Sequence, residues 1–329
     1  MLLTSDTIQS IKLTDKEAQY DEKAKWLLSR KIFLAHILIH TVEEFHGMKP
    51  TDVIPYIEGE PYISTVPVNP GLTNKTLHST NSLGQKIIGL NTEEASLNEG
   101  VIVYDILFYV RMKNGLTQII VNIEAQQKFP TNYHILNRAI VYSGRMIGSQ
   151  KERDFAHSDY DAVKQTYSIW ICMNMNENSM EHFQLTGKKI LGNFEWDNHR
   201  NLINIIMIGL SNELPPQDHA WELHRLLGTI LSKQLPYQNK LDILKQEYDI
   251  KAENDVKEVI GTMCNLSQGI KEDGIRIGEA RGIQIGEARG KAQMILSMKQ
   301  AGFSLEQIAQ IAKCSAEQIE EILIQFSEP

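Results

Sequence analysis

The sequence predicts a mixed α/β fold in which helices flank a β-sheet, with a helical appendage at the C-terminal end. Two apolar stretches, residues 101–112 and 117–126, are separated by a turn-forming segment at 113–115 and are typical of consecutive β-strands. Two later apolar stretches, 166–174 and 202–210, predict buried strands. Because helix-like segments precede, separate and follow these strands, the order of elements favours a sheet covered by helices.

The composition is that of a globular protein with a sizeable core. The chain has 329 residues, of which 42% are hydrophobic and 22% are charged. Its net charge of −8 argues against a protein that coats DNA by non-specific attraction, but it is compatible with an enzyme that has a local basic groove. The three cysteines, Cys172, Cys264 and Cys314, are far apart, so neither a zinc-binding spacing nor a disulfide framework is expected. A reduced, cytoplasmic setting fits this pattern.

No targeting or membrane segment is expected from the sequence. The N-terminus has no basic region followed by an apolar run, so it does not resemble a signal peptide. The most apolar windows, 32–39 and 202–210, have about half of the ~20 residues that a membrane helix needs. Both are therefore predicted to be core segments.

The first predicted helix covers residues 16–48, where apolar residues recur at helical spacing. Glu43 and Glu44 lie near its C-terminal end, where carboxylates oppose the helix dipole. They are interpreted either as solvent-facing charges or as acids placed there for a function. His36 and His40 are four residues apart, but no glutamate follows His36, so core or surface histidines are expected rather than a metal site.

The later elements follow in chain order. Residues 49–100 are rich in proline and glycine and predict a long connection with short strands at 62–68 and 86–90. Residues 132–148 predict a helix with Arg138 and Arg145 seven residues apart on a face beside its apolar stripe. The remaining predicted helices of this region are 219–235 and 238–248.

A repeat marks the change from this region to the C-terminal part. The pattern Gly-Ile-Arg-Ile-Gly-Glu-Ala-Arg begins at Gly274, recurs almost unchanged from Gly282, and starts again in divergent form at Gly290. Glycine costs a helix about 1 kcal/mol relative to alanine, yet glycines four residues apart let two helices approach closely. Residues 266–291 are therefore interpreted either as a hinge-like linker or as a helical self-association segment.

The tail, residues 292–329, predicts short helices that start at the cap-like serines Ser304 and Ser315. Its pattern resembles a helix-turn-helix, and a small helical hairpin for assembly is the alternative. The last helix carries three acids, which disfavours contact with DNA phosphates. They are Glu317, Glu320 and Glu321.

The central strand pair carries the polar residues that are most informative about function. Asp105 lies in the first strand, and Asn122, Glu124 and Gln126 share one face at the end of the second, because side chains two apart in a strand point the same way. Oxygen ligands of this kind suit Mg²⁺ or Mn²⁺. On the residues alone, this group is either a metal site or a set of polar strand ends that face solvent.

These residues, in this order, resemble the PD-(D/E)XK nuclease superfamily: a glutamate on an N-terminal helix, an aspartate in one strand, Glu-x-(Lys/Gln) in the next, and then a helix. The segments 103–109, 120–126 and 167–172 more closely resemble its Rpn-type (recombination-promoting nuclease) or transposase branch. The glycine repeat and the helical tail are also similar to that branch. The resemblance covers roughly residues 25–320 and implies a restriction-endonuclease-like mixed sheet flanked by helices.

The resemblance also implies a mechanism. Asp105, Glu124 and the backbone carbonyl of Ala125 would hold one Mg²⁺, with Mn²⁺ as a substitute. Glu44, or Glu43, matches the acid of the N-terminal helix. Gln126 stands where the family usually has lysine; an amide can orient a water molecule but supplies no charge.

The sequence therefore predicts a Mg²⁺-dependent endonuclease acting on double-stranded DNA in recombination or transposition, with a nuclease-like domain at 16–265, the glycine repeat at 266–291 and the tail at 292–329. Arg138 and Arg145 are candidates for contacts with DNA phosphates, with ordinary surface arginines as the alternative. A catalytically lapsed domain for DNA binding or protein assembly is the second hypothesis. A DNA-binding regulator that acts through the tail is the third. No membrane partner is expected, and a homo-oligomer assembled through the C-terminal segments is left open.

Overall fold

A computed structural model describes most of the chain as two compact units. The described residues are 5–63, 77–80, 86–89, 93–94, 102–103, 105–112, 115–124, 133–148, 150–151, 159–194 and 200–325, and at some of these positions, including 5–12 and 118–124, only the backbone is described. One unit comprises Ala18–Ser267 and the other comprises Met1–Glu17 with Gln268–Pro329. The central sheet lies in the first unit.

Helices account for most of the regular structure outside the sheet. The α-helices that the described residues form are α1 (Ser5–Leu28), α2 (Lys31–Thr41), α3 (Pro50–Val53), α4 (Ile135–Gly148), α5 (Glu222–Leu231), α6 (Tyr237–Tyr248), α7 (Asn254–Gln300), α8 (Leu305–Ala312) and α9 (Ala316–Gln325). Short 3-10 turns occur at Glu43–Phe45, Ile54–Tyr56, Tyr160–Ala162, Arg200–Leu202 and His219–Trp221. Within the described ranges, no helix combines the length and the apolar character that a bilayer crossing requires.

The strands form one mixed sheet and two short hairpins. In chain order they are β1 (Ile57–Ile63), β2 (Leu77–Thr80), β3 (Lys86–Gly89), β4 (Glu93–Glu94), β5 (Ile102–Val103), β6 (Ile106–Met112), β7 (Gly115–Glu124), β8 (Thr166–Met175), β9 (Ser179–Gln184) and β10 (Ile203–Ser211). The sheet has the order β1-β6-β7-β8-β10-β9, while β2 pairs with β3 and β4 with β5. The prediction of a mixed α/β fold with a C-terminal helical part is confirmed at this level.

The direction of each pairing decides which strand ends meet. β1, β6 and β7 pair antiparallel, β7 and β8 pair parallel, and so do β8 and β10, whereas β9 returns antiparallel at the far edge. A parallel pair needs a long crossover, and α4 lies on the connection between β7 and β8. β1 contains a bulge at Gly59, whose φ of +61° is a conformation that glycine adopts without strain.

Both faces of the sheet are covered. On one face, Ile135 and Ala139 of α4 pack against Trp170 and Cys172 of β8 and against Ile205 of β10. The alternate residues of the same strands face the opposite way and are also buried. They are Ile169, Ile171, Ile206 and Ile208. Helices α2 and α5 contact each other and, respectively, β1 and β10.

The predicted single helix over 16–48 is wrong, because the chain breaks at Ser29–Arg30 and the second helix ends at Thr41. The Ser29 hydroxyl donates to the Trp26 carbonyl, 2.7 Å away, and Arg30 has the extended angles φ −66° and ψ 130°. A serine side chain that bonds to the local backbone competes with helix hydrogen bonds. As a consequence, Glu43 and Glu44 belong to a separate 3-10 turn.

Residues 266–291 lie within α7, which runs without interruption from Asn254 to Gln300. Of the two interpretations of the glycine repeat, the helical one agrees with this secondary structure, and a hinge that interrupts the helix does not. In the tail, the Ser304 side chain accepts from the Gln307 backbone N–H while Gln307 accepts from the Ser304 backbone N–H, which forms the predicted capping box. The end of α7, α8 and α9 share a small core. It is built on Ile295, Ile308, Ala312 and Ile319.

Candidate active site

The pairing of β6 with β7 brings two of the predicted acids to the same end of the sheet. Asp105 directly precedes β6, and Glu124 is the last residue of β7. The register of β6 and β7 ends at the pair Ile106 and Val121, and one further regular step would set Asp105, which lies in a bend, level with Asn122. Glu124 lies two residues beyond Asn122, which is a diagonal cross-strand position with a Cα–Cα distance of about 7–8 Å.

Lys25 of α1 lies beside Asp105. Its Nζ atom is 2.5 Å from Oδ1 of Asp105, and the two side chains are 25% and 18% exposed, respectively. The neighbouring residues Ala24, Leu27 and Leu28 are completely buried, so α1 is held against the core at this point. Lys25 is therefore a fixed positive charge at the strand end.

Lys25 was not among the residues predicted from the sequence. It lies on the predicted first helix, next to the apolar residues that form its buried stripe. Its position beside that stripe indicates that Lys25 lies at the border of the core. Helical periodicity alone, however, does not predict that the side chain of Lys25 reaches Asp105.

The rest of the predicted metal site lies largely outside the described residues. The structure describes only the backbone of Glu124, and residues Ala125 and Gln126 fall in the undescribed segment 125–132. Among the side chains that are described, no group of three or more histidines, cysteines, aspartates or glutamates is arranged to hold a metal ion. The proposed ligand set of Asp105, Glu124 and the Ala125 carbonyl therefore stays a prediction.

Glu43 and Glu44 are exposed in their 3-10 turn and lie near Tyr167 of β8. Burial, together with the negative charges of Glu43 and Glu44, raises the pKa of Tyr167 to about 12. Tyr167 pairs with Ile119, whereas Glu124 pairs with Cys172. Five residues of strand separate the two levels, which is about 16 Å at ~3.3 Å per residue. Glu44 therefore lies near a residue that is five strand positions from the level of Glu124 and three from the level of Asp105, and its role as the helix acid rests on the resemblance alone.

Arg138 is anchored against aromatic side chains. Its guanidinium carbon lies 5.1 Å from the ring centre of Tyr142 and 5.4 Å from that of Trp170. Its Nε and Nη2 atoms donate to the Tyr142 hydroxyl at 3.1 and 3.0 Å. Trp170 is completely buried, donates to the Ser168 hydroxyl at 2.8 Å and has Asn122 as its Cα partner. Arg138 thus presents a fixed positive charge beside β8, which is two strands away in the sheet from β6, the strand that Asp105 precedes.

Arg145 lies two helical turns further along α4, in its last turn, and is half-buried. The spacing of seven residues keeps both arginines on one side of the helix. Their predicted contact with DNA phosphates is compatible with this placement and stays a prediction.

Of the two histidines of α2, which the sequence predicted as core or surface residues, His36 is buried and His40 is half-buried. His36 is 4% exposed and makes an edge contact with the ring of Tyr248, with 5.6 Å between ring centres. The pKa of His36 is lowered to about 4, mainly by burial; the negative charge of Glu222 opposes this shift and the nearby His40 contributes to it. Burial also lowers the pKa of His40. Within the described structure, Nδ1 of His36 and Nε2 of His40 are buried without a hydrogen-bond partner.

Comparisons of this chain with protein-family models, with curated proteins and with solved structures found no match. The functional conclusion below therefore rests on the residues and their geometry.

Proposed function

We propose that this chain is a metal-dependent DNA endonuclease of the PD-(D/E)XK type, acting in recombination or transposition. The observation that carries the proposal is the antiparallel pairing of β6 and β7, which brings Asp105 and Glu124 to one end of the sheet. At a Cα separation of about 7–8 Å, two carboxylates can share one divalent cation. Carboxylate and carbonyl oxygens are the ligands that Mg²⁺ and Mn²⁺ prefer.

The order of elements around the acids supports the same proposal. Helix α2 precedes β1, β6 and β7, and α4 with β8 follows them, so the two acids lie between a helix and a strand–helix–strand crossover. The strands β1, β6, β7 and β8 are neighbours in that order in the sheet. This arrangement agrees with the restriction-endonuclease-like sheet that the resemblance implies.

The residues of the chain would divide the work as follows. Asp105, Glu124 and the Ala125 carbonyl would hold the metal, which would supply an acidified water and shield the charge that develops on the phosphodiester. Gln126 orients that water through its amide group. Arg138 and Arg145 bind the DNA backbone through phosphate contacts, which position the substrate without reading its sequence.

Lys25 supplies the positive charge that Gln126 lacks. Its ammonium group lies 2.5 Å from the carboxylate of Asp105, so a phosphate oxygen bound near Asp105 comes within reach of it. A lysine at this point stabilises developing negative charge in the way expected of the lysine that Gln126 replaces. Its origin on α1 rather than on β7 explains why the strand motif alone does not reveal it.

The test is plasmid nicking by the purified full chain in Mg²⁺ or Mn²⁺, with single-stranded DNA and RNA as further substrates. Asp105→Asn and Glu124→Gln are expected to lower the cleavage rate by at least about a hundredfold, because each removes a metal-binding charge. Glu177→Gln is the matched control, since Glu177 is an exposed acid in a bend outside the site. Absence of cleavage by the wild type in either metal, or unchanged cleavage by both variants, would refute the proposal.

One observation favours the second candidate function, a catalytically lapsed domain that binds DNA. The Lys25–Asp105 ion pair neutralises one of the two carboxylates that the metal needs. Electrophoretic mobility shifts separate the two functions, because a lapsed domain retains DNA binding without Mg²⁺ dependence and without cleavage. Binding that persists in Asp105→Asn, together with an inactive wild type, would support it.

A further inference from the structure

The middle of α7 exposes apolar side chains to solvent. Every residue from 281 to 290 is exposed, and the isoleucines of the repeat are among the most exposed large apolar residues of this unit. Their exposed fractions are 52% for Ile275, 62% for Ile283 and 47% for Ile285. The same helix buries Ile270 before this segment and Ile295 after it. The repeat segment is therefore a surface that the rest of its unit leaves uncovered.

The two sides of this segment differ. At ~100° per residue, the less exposed residues of α7 fall on one side. They are Ile270, Asp273, Ile277 and Ala280. Helix α1 reaches this side, because Nζ of Lys16 lies 2.6 Å from Asp273. The opposite side carries Ile275 and the glycines, which are Gly278, Gly282, Gly286 and Gly290.

The glycine side has open space beyond it. A Cβ atom built on any of these four glycines would meet no atom within 4 Å. Their lack of a side chain is therefore not required by packing inside the unit. Glycine lets another backbone approach closely, so the row is suited to contact with a second helix.

The charge pattern identifies that second helix. Residues 279–289 read Glu-Ala-Arg-Gly-Ile-Gln-Ile-Gly-Glu-Ala-Arg. Around the central Gln284, each apolar residue and each glycine has an identical residue at the same distance on the other side, whereas each charge has the opposite charge. Glu279 is the counterpart of Arg289, and Arg281 is the counterpart of Glu287.

We propose that residues 275–293 of α7 pair antiparallel with the same segment of a second copy of this chain. A two-fold axis at the height of Gln284, on the glycine side of the helix, places Gly282 opposite Gly286, and Glu279 of one copy opposite Arg289 of the other. At ~100° per residue, both of these charged residues lie on the glycine side itself, so the symmetric contact contains two ion pairs. A two-fold contact uses the same patch on both copies, which a self-complementary sequence satisfies. In a parallel pair, every charge would face its own copy.

The first experiment measures mass by light scattering and by sedimentation across micromolar concentrations of the full chain. The wild type is expected at twice the 37.5 kDa of one chain. Gly282→Leu and Gly286→Leu are expected to sediment as single chains, because a bulky side chain keeps the helices apart. Gln284→Leu, on the opposite side of the same helix, is the matched control and is expected to remain dimeric. Leucine favours helix more than glycine does, so unchanged or increased helicity by circular dichroism excludes unfolding as the cause.

The second experiment tests orientation by charge reversal. Glu279→Arg and Arg289→Glu are each expected to raise the dimer dissociation constant by about tenfold, because one substitution alters both symmetric contacts. The double variant Glu279→Arg/Arg289→Glu restores both pairs and is expected to return to the wild-type value. A monomeric wild type, a Gly282→Leu variant that still dimerises, or a double variant as weak as the single ones would overturn the proposal. None of these outcomes depends on nuclease activity.

Discussion

Replacement of Lys25 by methionine tests the role of the ion pair at the strand end. Methionine keeps much of the length of the lysine side chain and removes its charge. In the proposed site, the lysine and the metal both lie beside the carboxylate of Asp105 and repel each other. Lys25→Met is therefore expected to bind the metal more tightly and to cleave DNA more slowly.

The size of the effect on metal binding follows from the geometry. Nζ of Lys25 is 2.5 Å from Oδ1 of Asp105. A Mg²⁺ ion lies ~2.1 Å from a carboxylate ligand, so a metal bound to Oδ1 of Asp105 would be at most about 4.6 Å from Nζ of Lys25. At that distance, charges of +1 and +2 repel by about 1.8 kcal/mol in water, which corresponds to about twentyfold in the dissociation constant. The dielectric constant of water gives the smallest effect that this geometry allows, because both side chains are mostly buried.

The assay is a Mn²⁺ titration followed by the electron paramagnetic resonance signal of the free ion, which does not require activity. The dissociation constant for Mn²⁺ should fall by about twentyfold or more in Lys25→Met, and Asp105→Asn should weaken binding. Lys23→Met is the matched control, since Lys23 lies on the same helix and its Nζ atom lies 4.0 Å from Glu22. Unchanged or weaker Mn²⁺ binding in Lys25→Met would refute the reasoning.

Three further predictions concern buried groups, and each is checked by urea denaturation of the wild type and one variant. The pKa of His36 is about 4 in the folded state, against 6.5 when exposed, so its contribution to stability is complete above pH 6.5 and is lost as the pH falls towards 4. Over this range the free energy of unfolding of the wild type should fall by about 3 kcal/mol more than that of His36→Leu. Equal losses in the two proteins would contradict the shift. Burial lowers the pKa of Lys240 from 10.5 to about 8 while its Nζ donates to the carbonyls of Ile230 and Ser232. The contribution of neutral Lys240 to stability is therefore present above pH 10.5 and is lost as the pH falls through 8. Between pH 7.5 and 10.5, the free energy of unfolding of the wild type should rise by about 3 kcal/mol relative to that of Lys240→Met. A difference that does not change with pH would contradict this. Trp170→Ala removes a completely buried indole that contacts Arg138, and it should cost about 3–5 kcal/mol; a cost below about 1 kcal/mol would show that the sheet repacks around the gap.

Local pattern was sufficient to place most of the sheet. β6, β7, β8 and β10 agree with the predicted strands within a few residues, because each is a short apolar run bounded by turn formers or polar segments. β9 was missed, since it is an edge strand whose residues are mostly exposed and lack an apolar alternation. The break at Ser29 was also missed, because a serine inside a helical pattern ends the helix only when its side chain bonds to the backbone.

The candidate site was predictable in part. Asp105 and Glu124 were selected because acids at the ends of apolar strands are conspicuous in the sequence, and their role as metal ligands stays a prediction. Lys25 was not found, because its contact with Asp105 joins a helix and a strand that are far apart along the chain. Glu44 was placed with them by the order of residues alone, whereas the described contacts place it near Tyr167.

The strand pair therefore shows which properties belong to the sequence and which belong to the fold. The sequence by itself determined that two acids end adjacent strands and that the glycine repeat is self-complementary around Gln284, because both properties depend on spacing along the chain. Only the tertiary structure decided that β7 pairs parallel with β8, that α1 brings Lys25 to Asp105, and that one side of α7 stays exposed to solvent. These depend on how elements pack against each other, and packing is set by the whole core rather than by any one segment.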